Sequence, residues 1–284
     1  GQPGRMHVYC EMINLERDSE RREQMKAEMA RAGVTAEFFP AIDFRDAGEE
    51  HLLMHCRKEG PWGVFQLPDM ACTLSHAEAW RRFLETDATH CLILEDDVFI
   101  SPELGAWIDD LGWWPEDADI VKLERWRARS LRVLLQKKGK RHLGRSLRRM
   151  FSRHVGAAGY ILSRHAAEIL LARHPFDVTV DNLLFNANAS KAARSMTIYQ
   201  VQPALIEQGN EPEGTRPGGA WKSRPQGLPL LRQKIRRGYH ELSFPVSTIM
   251  KFLTGQLTPE QVTFVPETLT ATNHQSSFAG EAAT

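Results

Sequence analysis

Short apolar runs with strand character alternate with stretches of helical periodicity along most of the chain, and this order constrains the fold more than any other feature. His7 to Asn14 (HVYCEMIN) reads as a first strand. Asp18 then caps a helix that carries Met25 and Met29 on one face and stops at Gly33. Glu37 to Ile42 (EFFPAI) reads as a short second strand, and Asp43 to Leu67 as a long connection without a clear period. Asp69, after Pro68, can cap a helix in which Met70, Leu74, Ala77, Trp80 and Leu84 recur at helical spacing. Strands follow at Cys91–Ile100, Asp119–Leu123 and Gly159–Leu162, with a short helix over 102–111 and a helix capped by Ser163. Met196 to Val201 is the last clear strand. Strand, helix, strand, helix predicts a mostly parallel α/β sheet, with ligands bound at the carboxyl ends of its strands.

The stretch CLILEDDVFI, residues 91–100, ends a buried strand in three adjacent carboxylates, Glu95, Asp96 and Asp97. Adjacent carboxylates repel, and a partly buried one loses hydration. A solvated acidic turn or a helix cap would explain them; so would a divalent cation, which takes hard oxygen ligands. Their place at the carboxyl end of a predicted sheet strand favours the cation. Alternation along the strand puts Glu95 and Asp97 on one side and Asp96 on the other.

At 284 residues, with a hydrophobic share of 42% and seven tryptophans, the chain can bury a large core. It contains no GxGxxG and no GxxxxGK[ST] fingerprint. The four cysteines (10, 56, 72, 91) have no metal-site spacing and read as reduced core thiols, which points to a cytoplasmic protein. No apolar run approaches the ~20 residues of a membrane span, and no signal peptide is recognised. The start, GQPGR, reads as an appended or frayed end.

Net charge is zero, yet Lys122 to Arg153 holds 13 Lys or Arg against the single acid Glu124, a local +12. A second run, Arg216 to Arg237, has seven Lys or Arg and no acid, mixed with Trp221, Leu228, Leu230 and Leu231. Such segments suit an anionic acceptor or the inner membrane surface. Nucleic acid is not expected, since no binding motif accompanies the charge. Residues 268–284 are small and polar and read as a disordered tail.

Eight segments stand in one order: INLERDSERR (13–22), FFPAID (38–43), MACTLSH (70–76), LILEDDVFI (92–100), IVKLER (120–125), GAAGYILSRHAA (156–167), VTVDNLLF (178–185) and YQVQPALIEQ (199–208). Together they resemble glycosyltransferase family 25, the bacterial lipopolysaccharide glycosyltransferases that include many β-galactosyltransferases. The resemblance implies a GT-A type, Rossmann-like domain over residues 6–210, a basic extension over 211–267, a UDP-sugar donor and Mn²⁺ or Mg²⁺. The activity it implies is inverting, metal-dependent transfer of a hexose, galactose first, to a lipopolysaccharide or other surface glycan. Alternatives are a UDP-glucose or other hexose transferase acting on a protein-linked glycan, an inactive glycolipid-binding relative, and a metal-dependent phosphohydrolase. The last has no second acid cluster to support it.

The resemblance also assigns roles. The Glu95–Asp96–Asp97 triplet takes the place of a DxD motif, with Asp97 the direct metal ligand, Glu95 a second and Asp96 facing the ribose or a backbone amide. His154, before the GAAGY segment, could complete the cation's shell, bind acceptor or cap the basic loop. Asn14, Arg17, Arg21 and Arg22 fall at the nucleotide and its phosphates, although the arginines could equally be solvated. Ser75 and His76 fall near the donor sugar, with Lys122 beside it; Ser75 and Glu78 also fit a capping box. Asp181 is the expected base and Glu124 its rival, while Asp181 could also be a plain cap for a helix over 182–187. Ala71 and Ala157 depart from the family's common Gly and Thr, and the second leaves the donor-sugar contacts open.

Overall fold

The computed structural model describes residues 6–126, 131–209, 228–242 and 244–268. In chain order the elements are β1 (Val8–Asn14), α1 (Ser19–Ala32), β2 (Glu37–Pro40), α2 (Phe44–Ala47), α3 (Glu49–His55), β3 (Glu59–Gly60), β4 (Gly63–Val64), α4 (Leu67–Glu85) and β5 (His90–Glu95). There follow β6 (Val98–Ile100), α5 (Leu104–Asp109), β7 (Ile120–Lys122), β8 (Glu124–Arg125), β9 (Val133–Gln136), β10 (Lys140–His142), β11 (Arg145–Arg149), β12 (Gly159–Ser163) and α6 (Arg164–Leu171). The last are α7 (Val180–Phe185), α8 (Lys191–Ser195), β13 (Ile198–Gln202), β14 (Ile206–Gln208), α9 (Leu228–Leu242), α10 (Val246–Leu253) and β15 (Leu257–Glu260).

The main sheet has eight strands in the order β10-β11-β13-β7-β12-β5-β1-β2. The pairings β1–β2, β1–β5 and β13–β7 are parallel, and β12 runs antiparallel to both β5 and β7. Six strands share one direction; β11 and β12 are reversed. The sheet is therefore mixed, and the expectation of a mostly parallel sheet holds for strand direction but not for neighbour pairing. The core of β5 explains its apolar run: Cys91 and Ile93 pack with Trp80, Phe83 and Tyr160 on one face, while Leu92 and Leu94 pack with Met25, Met29 and Trp107 on the other. A strand covered on both faces has no polar side to show.

The local signals at α1 are realised: Asp18 accepts from the Arg21 backbone N–H, and Gly33 closes the helix at φ 68°. Asp69 is not the cap of α4. The helix begins at Leu67 with Pro68 in its first turn, where a missing N–H costs nothing, and Asp69 lies inside that turn. The helix then runs unbroken through Ser75, so the capping-box reading of Ser75 and Glu78 is not realised. The connection 43–67 holds α2, α3 and the β3–β4 hairpin, elements too short to show a period.

The described part of the basic run 122–153 leads from the end of β7 into β8 to β11, with Arg127 and Arg129 outside the described residues. Acids distant in sequence meet four of its cations, while Lys137, Lys138, Lys140 and Arg141 stay exposed. Arg125 pairs with Glu207, Arg145 with Glu103, Arg148 with Glu260 and Arg153 with Glu241. The C-terminal residues pack back on the body through β15, which pairs with β9. The expected boundary at 210, residues 216–227 with Trp221, and the tail beyond Thr268 lie outside the described residues.

Candidate active site

The acidic turn sits where β5 leaves the sheet. The Gln208 amide nitrogen, at the end of β14, lies 3.4 Å from both Glu95 Oε2 and Asp97 Oδ2. Glu95 and Asp97 therefore face one side, as alternation requires. Asp96 turns the other way, accepts from Asn14 Nδ2 at 2.7 Å and lies 3.6 Å from Arg21 Nη1. Burial pushes its carboxyl up to about 6, against the pull of Asn14 and Arg21.

A buried chain of polar groups positions Glu95. Trp80 Nε1 donates to the Tyr160 hydroxyl at 2.9 Å, His76 Nδ1 lies 2.8 Å from that hydroxyl, and His76 Nε2 lies 2.9 Å from Glu95 Oε1. The Tyr160 hydroxyl, which accepts from Trp80, can donate to Nδ1, and in that tautomer the Nε2–H donates to the Glu95 carboxylate. Cys72, one helical turn before His76, reaches Glu95 Oε1 at 3.7 Å.

Ligand atoms of Cys72, His76 and Glu95 lie within 4.8 Å of one another. They do not suit a soft metal: Cys72, though exposed, has its thiol raised well above its ordinary value by lost hydration and by the carboxylates Glu95, Asp69 and Asp181, and His76 Nε2 is already engaged by Glu95 at 2.9 Å. Glu95 and Asp97 are different. Two hard oxygen donors converge on one point, which the partly positive amide NH₂ of Gln208 already marks. That donor set fits Mn²⁺ or Mg²⁺.

Two clefts meet at this turn. One, of about 610 Å³, is lined by Ile13, Leu15, Arg17, Arg21, Ile42, Asp43, Ser75 and the acidic triplet. The other, of about 760 Å³, is lined by Trp62, Trp126, Arg153, Thr179, Asp181, Asn182 and the α9 residues Lys234 and Arg237. Asp69, Cys72, Glu95 and Gln208 border both.

The structure separates the expected site residues. Arg17 pairs with Asp43 at 2.5 Å on the wall of the first cleft. Arg21 reaches Asp96, whereas Arg22 lies over the Phe38 ring at 4.7 Å, away from the acids. Ser75 accepts from the Ile42 N–H and donates to the Ala71 carbonyl, which ties the cleft wall to α4. Lys122 and Glu124 are fully buried and line neither cleft. His154 is buried beside Gln200 Oε1 at 3.0 Å and borders neither cleft, so the fold does not bring it to the carboxylates.

Asp181 stands in the second cleft in the first turn of α7, not at its cap, which is Thr179. Its carboxylate accepts from the Thr179 hydroxyl at 2.5 Å, the Asn182 N–H at 2.9 Å and the Gly156 N–H at 3.4 Å. Sequence reasoning missed Cys72, taken for a core thiol, and Gln208. The first had a signal, four residues before His76; the second closes an apolar strand end, as the acidic triplet does.

The family model described as glycosyltransferase family 25 (LPS biosynthesis protein) matches residues 7–184, which include the acidic turn, His76 and Asp181. The chain belongs to glycosyltransferase family 25. It is 27% identical over 219 residues to the lacto-N-neotetraose biosynthesis glycosyltransferase LgtE of Neisseria meningitidis serogroup B, covering 69% of this chain and 72% of the relative. It is likewise 27% identical to the lipooligosaccharide biosynthesis protein lic2B of Haemophilus influenzae, covering 72% and 76%. A glycosyltransferase 25 family member of Aedes aegypti is 26% identical, matching 72% of this chain and 36% of that longer protein. This family 25 protein is an enzyme that transfers sugar, and its relatives place it in lipopolysaccharide or oligosaccharide biosynthesis. No helix among the described residues is long and apolar enough to cross a membrane.

Proposed function

We propose that this enzyme moves a hexose, galactose first, from a UDP-sugar to a lipopolysaccharide or related surface-glycan acceptor, with inversion, in a GT-A type catalytic unit over residues 6–210. The observation that carries the reading is the meeting of two clefts at Glu95, with Asp181 facing one and Arg17 and Arg21 facing the other. The first cleft, with an apolar wall and two arginines, suits a nucleoside diphosphate. The second suits the acceptor sugar. Glu95 and Asp97 would hold the divalent cation, which neutralises charge on the departing diphosphate. Asp181 takes the proton of the attacking acceptor hydroxyl, and its three hydrogen bonds hold it in place for that task. Glu124, buried against Lys122, borders neither cleft and supports the loop instead. None of the four cysteines is disulfide-bonded, which supports a reducing, cytoplasmic compartment.

The test is release of UDP from a panel of UDP-sugars with Mn²⁺, with and without a glycan acceptor. Asp97→Asn is nearly isosteric and should keep the fold while abolishing Mn²⁺-dependent turnover. Wild-type turnover of that variant in chelator would remove the acidic turn from the chemistry.

A further inference from the structure

Helix α9 docks with its polar side. At about 100° per residue, Leu230, Gln233 and Arg237 lie together on one face. That face meets the β3–β4 hairpin: Arg237 Nε donates to the Trp62 carbonyl at 2.8 Å, and Arg236 reaches the Gly60 carbonyl at 2.9 Å. Leu228, Leu231, Ile235, Tyr239 and Leu242 recur every three or four residues and form a stripe about 80° wide on the opposite face. They are 56% to 83% exposed. A surface helix ordinarily does the reverse and buries its apolar stripe.

Helix α10 repeats the inversion. Thr248 is buried, and Lys251 reaches back over the Phe151 ring at 4.8 Å. Val246, Ile249, Met250, Phe252 and Leu253 remain exposed. Among the described residues, ten of the fifteen exposed large apolar side chains fall within 228–253. The same stretch carries five Lys or Arg and one acid, Glu241, for a net +4. Arg232 and Lys234 flank the α9 stripe on its two sides.

We propose that α9 and α10 are a membrane-docking face whose apolar stripes enter the headgroup–acyl boundary of an anionic bilayer while the flanking basic side chains meet lipid phosphate. Apolar depth with basic flanks is the composition of an interfacial helix. The charge selects this occupant over a second copy of the chain: Arg236, Arg237 and Lys251 turn to the body, so the flanks of the exposed stripe carry Arg232 and Lys234 and no acid, and a second copy would set these cations against each other. The inner side of the same helix, through Leu230, Gln233, Lys234 and Arg237, lines the second cleft. Given the acceptor reading of that cleft, a lipid-linked acceptor meets the active site about one helix diameter, ~10 Å, from the bilayer.

Co-sedimentation of the full chain with phosphatidylcholine vesicles, with and without phosphatidylglycerol, tests this. Binding is expected on the mixed vesicles, weakened by salt and at least tenfold weaker in Ile235→Glu/Leu253→Glu. Arg232→Glu should weaken binding to the anionic vesicles alone. Both variants alter exposed side chains, so unfolding midpoints should match the wild type, and turnover on a soluble acceptor should persist. Absence of wild-type vesicle binding, or unchanged binding by Ile235→Glu/Leu253→Glu, overturns the docking face and leaves the transferase reading intact. Vesicle binding without any UDP-sugar turnover has the opposite meaning. A concentration-dependent dimer that Ile235→Glu/Leu253→Glu abolishes, without vesicle binding, assigns the face to a second copy and also overturns the proposal.

Discussion

Lys122 and Glu124 lie 3.3 Å apart, both fully buried. The Lys122 ammonium also donates to the carbonyl oxygens of Val155 and Gly156 at 2.7 and 2.8 Å and stands 4.5 Å from the Phe185 ring centroid. Burial pushes Glu124 up to about 7, offset in part by Lys122, and pushes Lys122 down, offset in part by Glu124. The pair pins the loop whose Gly156 N–H donates to Asp181. A lysine expected at the donor thus supports the candidate base from behind.

The two acids should respond in opposite ways. Glu124→Gln leaves Lys122 buried without its counter-charge and should cost about 3 kcal/mol of stability, with kcat within several-fold of wild type. Asp181→Asn should lower kcat by about 10²- to 10⁴-fold with unfolding midpoint and UDP affinity unchanged. Thermal unfolding and initial rates read both. Collapsed turnover of folded Glu124→Gln would move the base to Glu124.

Gly156 has φ 89°, and a Cβ there would lie 2.9 Å from Glu124 Oε1 and 3.0 Å from Gln208 Oε1. Gly156→Ala should therefore destabilise by about 1–3 kcal/mol and shift the loop that touches Asp181. The expected signature is a lower kcat with little change in UDP affinity by calorimetry. Equal kcat would show that the loop does not position the base.

Tyr160→Phe removes the hydroxyl that links Trp80 to His76. Two buried donors or acceptors lose their partner, for a loss of about 1–3 kcal/mol. With His76 no longer oriented, Glu95 is less well held, so the Mn²⁺ concentration for half-maximal turnover should rise. An unchanged Mn²⁺ dependence would limit this chain to a structural role.

His90 begins β5, packs edge-on to Trp114 at 4.4 Å between ring centroids, and is lowered by burial to about 4. Its folded value lies below its unfolded one, so the unfolded chain takes up the proton first as pH falls. Stability is thus full above about 6.5 and declines toward pH 4, by up to about 3 kcal/mol from this residue. His90→Gln should flatten that decline in denaturant titrations at pH 7, 5.5 and 4.5. An unchanged slope would assign the acid sensitivity elsewhere.

Local pattern determined a good deal of this protein. The apolar run of β5, the Asp18 and Gly33 boundaries of α1 and the Ser163 cap of α6 were readable because each depends on residues within a few positions of one another. Alternation also decided that Glu95 and Asp97 face together while Asp96 turns away. Only the tertiary structure decided the rest. An apolar strand reads the same in either direction, so the reversal of β12 depends on the path of the chain from β7. Arg125, Arg145, Arg148 and Arg153 looked unmet because their partners Glu207, Glu103, Glu260 and Glu241 are brought in by folding. The inverted docking of α9 was equally hidden: periodicity marks an apolar stripe, but what the opposite face meets is fixed by Gly60 and Trp62, more than a hundred residues away. Sequence periodicity sets which side chains share a face; chain closure sets what each face meets.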